Sequence, residues 1–320
     1  MPAQLKVVKP TAPPAIASLI EDYLAYCKAK GLSPRTYDNA YAYPLRRVLL
    51  PWCTRERITE PKQLTSRGLA HLTAQLLEDG GARGKLSPHS VHAHTRAINH
   101  FLSWANKEGE LAGAAKAVTP KLPKKLVDVL SREEIDRMED AGLNERDKLI
   151  VRLLADTGIR VGELIALSRG DVFERDRNWF LKIHGKGQRD RVVPLPRLAP
   201  RLRRYIDKYR PRDARSDHVF VSLRRRPDGE YEPITASGAQ QLVRTLAVQA
   251  GIKKRVYPHL LRHSFATWQL QRGTNPITLA NILGHSSLAM IQNVYAHLSP
   301  SDAYEAMAQA LLAEDKGRGR

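Results

Sequence analysis

Apolar residues recur at three- and four-residue intervals along the chain, the spacing that gives a helix one buried face. From Ala15 to Lys30 they are Ile16, Leu19, Ile20, Tyr23, Leu24 and Cys27, and Gly31 ends the run. Ser33-Pro34 opens a second helix through Tyr37, Tyr41, Leu45, Val48 and Leu49, and Pro44 inside it predicts a kink or a split. A third helix covers 66–77, and a break follows at Gly80-Gly81-Ala82-Arg83-Gly84. Ser87-Pro88 opens a fourth, ending near Lys107, with Val91, Ile98, Phe101, Leu102 and Trp104 as its apolar stripe. Residues 15–111 therefore read as a small all-helical domain behind a Pro-rich, flexible leader at 1–14.

The pattern then changes. Residues 112–127 hold four Lys, two Pro and no acid before Asp128, which suits an interdomain linker: either a solvated tether or a strip that follows a phosphate backbone. A capping box, Ser131 with Glu134, starts a second domain at 128–313, ahead of a basic tail at 314–320. Helices are predicted at 149–156 and 160–167. Short runs at 179–183 and 191–195 flank GKGQRD and predict a hairpin. A basic helix at 197–210 and a further strand at 219–221 come next, and then helices at 236–250, 258–272, 276–283, 287–297 and 300–312. The last of these has an apolar face suited to packing on its own domain or on a neighbouring subunit. The fold class is mainly α with a small β-sheet.

Composition narrows the partner. The 320 residues carry 52 Lys and Arg against 33 Asp and Glu, a formal charge of +19, which points to a polyanion, nucleic acid before membrane. No apolar run reaches the length of a membrane span and no signal peptide opens the chain, so a cytoplasmic location is expected. Cys27 and Cys53 stand alone, with no CxxC pair, and read as reduced packing residues. His89, His92 and His94 lack a Cys or carboxylate partner, and His259 and His263 have zincin spacing but Leu260 in place of the required Glu. No metal is expected. With no GxxxxGK[ST] loop either, no cofactor is expected.

The densest chemistry lies at 257–298, where His259, Arg262, His285 and Tyr295 follow one another on predicted helices and their ends. His259 and Arg262 are three apart and share a helix face. Cationic groups, a hydrogen-bonding His and a phenol suit attack on a phosphodiester. Taken singly, each of these residues is more often an ordinary packing or surface group.

Their order resembles the tyrosine recombinase family of lambda-type integrases and Xer-type recombinases. The matching pieces are TGIRVGEL around Arg160, GKGQRDRVVPL around Lys186, HLLRH at 259–263, LGHSS around His285 and VYAHL around Tyr295. The helices ahead of them resemble, more loosely, the family's SAM-like core-binding domain. The resemblance implies a C-shaped clamp on DNA, built from that domain and an α+β catalytic domain. It implies Tyr295 as nucleophile, His259 as its proton acceptor, Arg160 and Arg262 on the phosphate oxygens, and His285 as a hydrogen-bond donor to the phosphate. Lys186 becomes the general acid and Glu163 the residue that orients the cluster. Lys121, Lys124, Lys125, Arg201 and Arg204 are candidate DNA contacts. The implied partners are double-stranded recombination sites, a homo-tetramer on two paired sites and accessory proteins. A 3′-phosphotyrosyl bond and a Holliday junction would carry the exchange. The sequence favours a mobile-element integrase slightly over a Xer-like chromosome dimer resolvase. A type IB topoisomerase and a catalytically silent DNA-binding factor are the other readings.

Overall fold

The structure is a computed structural model that describes residues 15–80, 84–122, 128–185 and 190–284. It divides into two compact units, Met1–Lys125 and Leu126–Arg320. The expected helices at 287–297 and 300–312, the leader and the basic tail lie outside the described residues.

In the first unit the helix Ile16–Ala29 buries the six apolar residues its spacing selects. Ser33 caps the next helix, its Oγ accepting from the Thr36 amide at 3.3 Å. Pro44 neither breaks nor splits that helix. The chain runs through Pro34–Thr36 into π-helical turns at Tyr37–Ala42 and Leu45–Leu49 and returns to α-helix at Leu50–Arg55. The wide turns bond five residues back, Tyr43 to Asp38 and Leu50 to Leu45, which accommodates a residue without an N–H. Helices Ser66–Glu78 and Pro88–Lys107 complete the unit, and both cysteines are free and buried.

Part of the expected tether differs from that expectation. Ala117 is buried in the helical core, its backbone pairs both ways with the Asn99 amide at 2.8 and 2.9 Å, and Thr73 donates to the Val118 carbonyl at 3.1 Å. An asparagine side chain offers a donor and an acceptor together, so it receives an extended backbone much as a strand would. Composition alone hides that partner.

The second unit is built on the helix Glu145–Thr157, whose Leu149, Ile150, Val151, Leu153, Leu154 and Ala155 are fully buried. The capping box forms, with Ser131 Oγ accepting from the Glu134 amide at 3.2 Å and Glu134 accepting from the Ser131 amide at 2.8 Å. Beside this helix lies an antiparallel sheet of β1 (Val172–Arg175), β2 (Asn178–Ile183) and β3 (Arg191–Pro194), in that order. β1 escaped the sequence reading because the turn into β2 is Asp176-Arg177, both at positive φ, without the glycine that usually marks such a turn. The run Val219–Val221 is buried but joins no sheet among the described residues: its bridge Val221–Pro233 is isolated, so it is a core segment and not a strand.

The basic run at 197–210 forms an α-helix, Ala199–Arg204, that continues as a π-helical turn, Tyr205–Tyr209. Arg201, expected to contact DNA, pairs with Glu139 and with Glu145, the latter at 2.6 Å. Both carboxylates belong to the same unit. Arg204 is exposed and donates to the Tyr209 hydroxyl at 3.0 Å, and Lys121 is exposed in the first unit. Lys124 and Lys125 lie outside the described residues.

Candidate active site

The site is assembled from helix ends. Gly158 caps Glu145–Thr157 at φ +63, and a Cβ there would come within 2.5 Å of Phe265 Cδ1 and 2.7 Å of Leu283 Cδ2. Only glycine fits a left-handed position packed that closely. The turn sends Ile159 into the core and leaves Arg160 at the N-cap of Val161–Ala166, where its backbone N–H donates to Glu163 Oε2 at 2.7 Å.

Arg262 lies on the helix Pro258–Gln271 and is 3% exposed. Its Nη1 donates to the Gly158 carbonyl and its Nη2 to the Leu283 carbonyl, both at 2.6 Å. Arg160 reaches the same helix end, with Nη1 3.5 Å from the Leu283 carbonyl and Nη2 3.3 Å from that of Gly284. Leu283 ends the helix Pro276–Leu283, whose last carbonyls carry partial negative charge. A helix terminus thus offsets the repulsion between two guanidinium groups.

One carboxylate completes the arrangement. Glu163 accepts from Arg160 Nη1 at 2.8 Å and from Arg191 Nη1 and Nη2 at 2.9 and 2.7 Å. Burial would raise its pKa, but the bonds from Arg191 and Arg160 prevail and hold it at about 2, so it is ionised. Burial, then the positive charge of Arg160, lowers Arg262 to about 9, which leaves it charged at neutral pH. His259, one turn ahead of Arg262, faces the cleft. Partial desolvation, then the charges of Arg262 and Arg160, lowers its pKa below 6.5, so its ring is neutral at pH 7.

These side chains line a cleft of about 1170 Å³. Of the seven residues expected in the site, Arg160, Glu163, His259 and Arg262 are brought together in it. Lys186, His285 and Tyr295 lie outside the described residues. The described residues next to two of them do line the cleft: Gly185 and Asp190 on either side of 186–189, and Gly284 ahead of His285. Among the described residues no cluster of three or more His, Cys, Asp or Glu could hold a metal.

Two residues of the site were not singled out from sequence. Arg191, read only as part of a strand, is the bidentate partner of Glu163. His184 bridges Asp171 through Nε2 at 2.9 Å and Asp190 through Nδ1 at 3.1 Å, at the base of the hairpin. Arg191 stood inside GKGQRDRVVPL, and its exposure as a strand residue could not be judged without the partner helix.

Comparison with known proteins decides the family. Residues 128–302 match the phage integrase family. The chain belongs to that family. The tyrosine recombinase XerA of Thermococcus onnurineus (strain NA1) is 32% identical over 303 residues, 94% of this chain and 98% of the relative. The tyrosine recombinase XerD of Oceanobacillus iheyensis is 35% identical over 292 residues, 88% of this chain and 93% of the relative. In fold, the chain is similar to XerH site-specific recombinase bound to a palindromic difH substrate, with a TM-score of 0.68, 21% identity, and 91% and 84% of the two chains covered. It is also similar to the Tn1549 transposon integrase in complex with transposon right end DNA, with a TM-score of 0.69, 18% identity, and 92% and 99% covered. This member of the phage integrase family is a tyrosine recombinase, an enzyme that breaks and rejoins DNA at specific sites.

Proposed function

We propose that this recombinase cuts one strand at a time through a phosphodiester between Tyr295 and the 3′ end of the broken strand, and resolves it with the 5′ hydroxyl of a partner strand. The observation that carries the reading is the convergence of Arg160 and Arg262 on one helix end, with His259 one turn away. Displacement at phosphorus gathers negative charge on the non-bridging oxygens, and two guanidinium forks set on rigid helix ends stabilise that charge.

A tyrosine hydroxyl has an ordinary pKa near 10, so attack needs a proton acceptor. His259 suits that task because its lowered pKa keeps the ring neutral and its position opens on the cleft. In the same proposal Lys186 protonates the departing 5′ oxygen, His285 donates to the phosphate and Glu163 fixes Arg160. The bond energy is conserved in the phosphotyrosine, so no nucleotide or metal is required for rejoining.

The formal charge of +19 supports double-stranded DNA as partner, with the first unit as its core-binding domain. Exchange between two paired sites through a Holliday junction calls for four copies of the chain, in the cytoplasm, with accessory proteins setting direction. Among the described residues no helix is long and apolar enough to cross a membrane. The near end-to-end likeness to XerA and XerD favours a Xer-like role, the alternative to the mobile-element integrase that the sequence favours slightly.

The test is covalent capture. DNA that stays attached to the protein after denaturing washes from its host is sequenced, with Tyr295→Phe as control. A single chromosomal locus supports the Xer-like role, and element ends support the integrase. DNA retained equally by Tyr295→Phe sinks the phosphotyrosine mechanism.

A further inference from the structure

We propose that Arg191 is a positioning residue for strand cleavage, acting on Arg160 through Glu163; the inference rests on the recombinase reading above. Among the described residues, its guanidinium bonds to Glu163 and to the helix end that also receives Arg160 and Arg262. Nη1 and Nη2 form a fork on Glu163 at 2.9 and 2.7 Å, and Nε donates to the Ile282 carbonyl at 2.7 Å. One side chain on β3 therefore ties its own strand to the carboxylate that holds Arg160 and to the helix end at Ile282.

Burial shows why this is support and not phosphate binding. The Arg191 and Glu163 side chains are 11% and 12% exposed, whereas that of Arg160 is 44% exposed. Arg191 borders the cleft with its guanidinium bonded to Glu163 and Ile282, while Arg160 keeps nearly half of its side chain open. Arg160 shares Glu163 Oε1 with Arg191, so the oxygen that orients Arg160 is itself fixed by Arg191. An exposed arginine has much rotamer entropy to lose, and a carboxylate held in place reduces that loss at the moment of reaction.

The packing is equally specific. A Cβ on Gly284 would meet Cδ, Nε and Nη1 of Arg191 at 3.0 Å each, so the helix end closes directly on the guanidinium. The other arm of the hairpin is anchored separately, by His184 between Asp171 and Asp190. Lysine in place of Arg191 would keep the charge but could not fork Glu163 and reach Ile282 at once.

The first measurement is made on the full chain without DNA. With ¹⁵N-labelled arginine, the Nε–H resonance of Arg160 is identified by its loss in Arg160→Ala, and its mobility is compared in wild type, Arg191→Lys and Arg191→Met. Arg160 should be rigid in wild type and mobile in both variants; unchanged mobility in both overturns the inference. Arg191→Lys retains a positive charge beside Glu163 and guards against a variant that fails to fold.

The second measurement uses the duplex recovered by covalent capture, nicked beside the cleavage site so that the adduct is trapped. Arg191→Met should slow adduct formation about a hundredfold with DNA affinity within about threefold, and should cost nothing further in an Arg160→Ala background, as residues acting in series do. Full additivity, or equal losses of binding and cleavage, overturns it. If covalent capture recovers no DNA, the phosphotyrosine mechanism falls, while the mobility of Arg160 still shows whether Arg191 positions it.

Discussion

Arg160 and Arg262 share one acceptor, the carbonyl oxygen of Leu283, at 3.5 and 2.6 Å. They do so from different environments, since Arg262 is 3% exposed and the Arg160 side chain 44%. Arg262 also closes on the Gly158 carbonyl, so it is part of the fold as well as of the site. Arg160 can be removed at little cost to the fold.

The two alanine variants should therefore separate stability from chemistry. Arg262→Ala takes the donor from the Gly158 carbonyl, leaves that of Leu283 with the longer bond from Arg160 alone, and should lose about 2 kcal/mol in urea unfolding, whereas Arg160→Ala should lose under about 0.5 kcal/mol. Both should slow formation of the covalent adduct by about 10²-fold or more, as removal of a charge-stabilising donor does. Equal destabilisation by the two variants would make Arg160 a structural residue.

The pH dependence of cleavage tests His259. Its pKa is lowered by partial desolvation, then by Arg262 and Arg160, so the neutral ring that accepts a proton persists below pH 6.5 and is lost as pH falls through the lowered value. The acid limb of the cleavage profile should lie below 6.5 and vanish in His259→Ala. Arg160→Ala removes one of the positive neighbours, and the imidazole resonances of His259 should then titrate closer to 6.5. A limb above pH 7 would remove His259 as the acceptor.

Glu163 gives a stability signature. Its pKa falls from 4.5 to about 2 in the folded chain, so the stabilisation is complete above about 4.5 and is lost as pH drops toward 2. That gap corresponds to at most roughly 3 kcal/mol. Unfolding free energies of wild type and Glu163→Gln, followed from pH 6 to pH 2, should converge in acid; parallel curves would show that Glu163 is not held ionised by Arg191 and Arg160.

Much of this site was legible because its parts sit in local sequence. Gly158 before Ile159-Arg160 announces a helix end, and the spacing of His259 and Arg262 announces a shared face. What escaped depends on contacts between distant segments. The partners of Arg191, Glu163 and Ile282, are 28 and 91 residues away, and those of Arg201, Glu139 and Glu145, are 62 and 56 away. Charge counts show that arginines are present and not which carboxylates consume them. The same limit hid Asn99 under the expected tether, while β1 was missed because its turn uses Asp176 and Arg177 at positive φ.

The two arginines of the basic helix give the last test. Arg201 is bonded to Glu139 and Glu145, whereas Arg204 is exposed and rests near Tyr209. A contact to DNA phosphate releases counterions, so its loss lowers the slope of log affinity against log salt by about 0.9. Arg201→Ala should leave both affinity and slope unchanged while lowering the thermal midpoint by about 2–4 °C, the effect of roughly 1 kcal/mol on a domain of this size. If Arg204 meets a phosphate, Arg204→Ala should reduce the slope by about one contact with the midpoint unmoved. A reduced slope in Arg201→Ala would mean that its ion pairs open when DNA binds, and Glu139→Gln should then strengthen binding by freeing the same guanidinium.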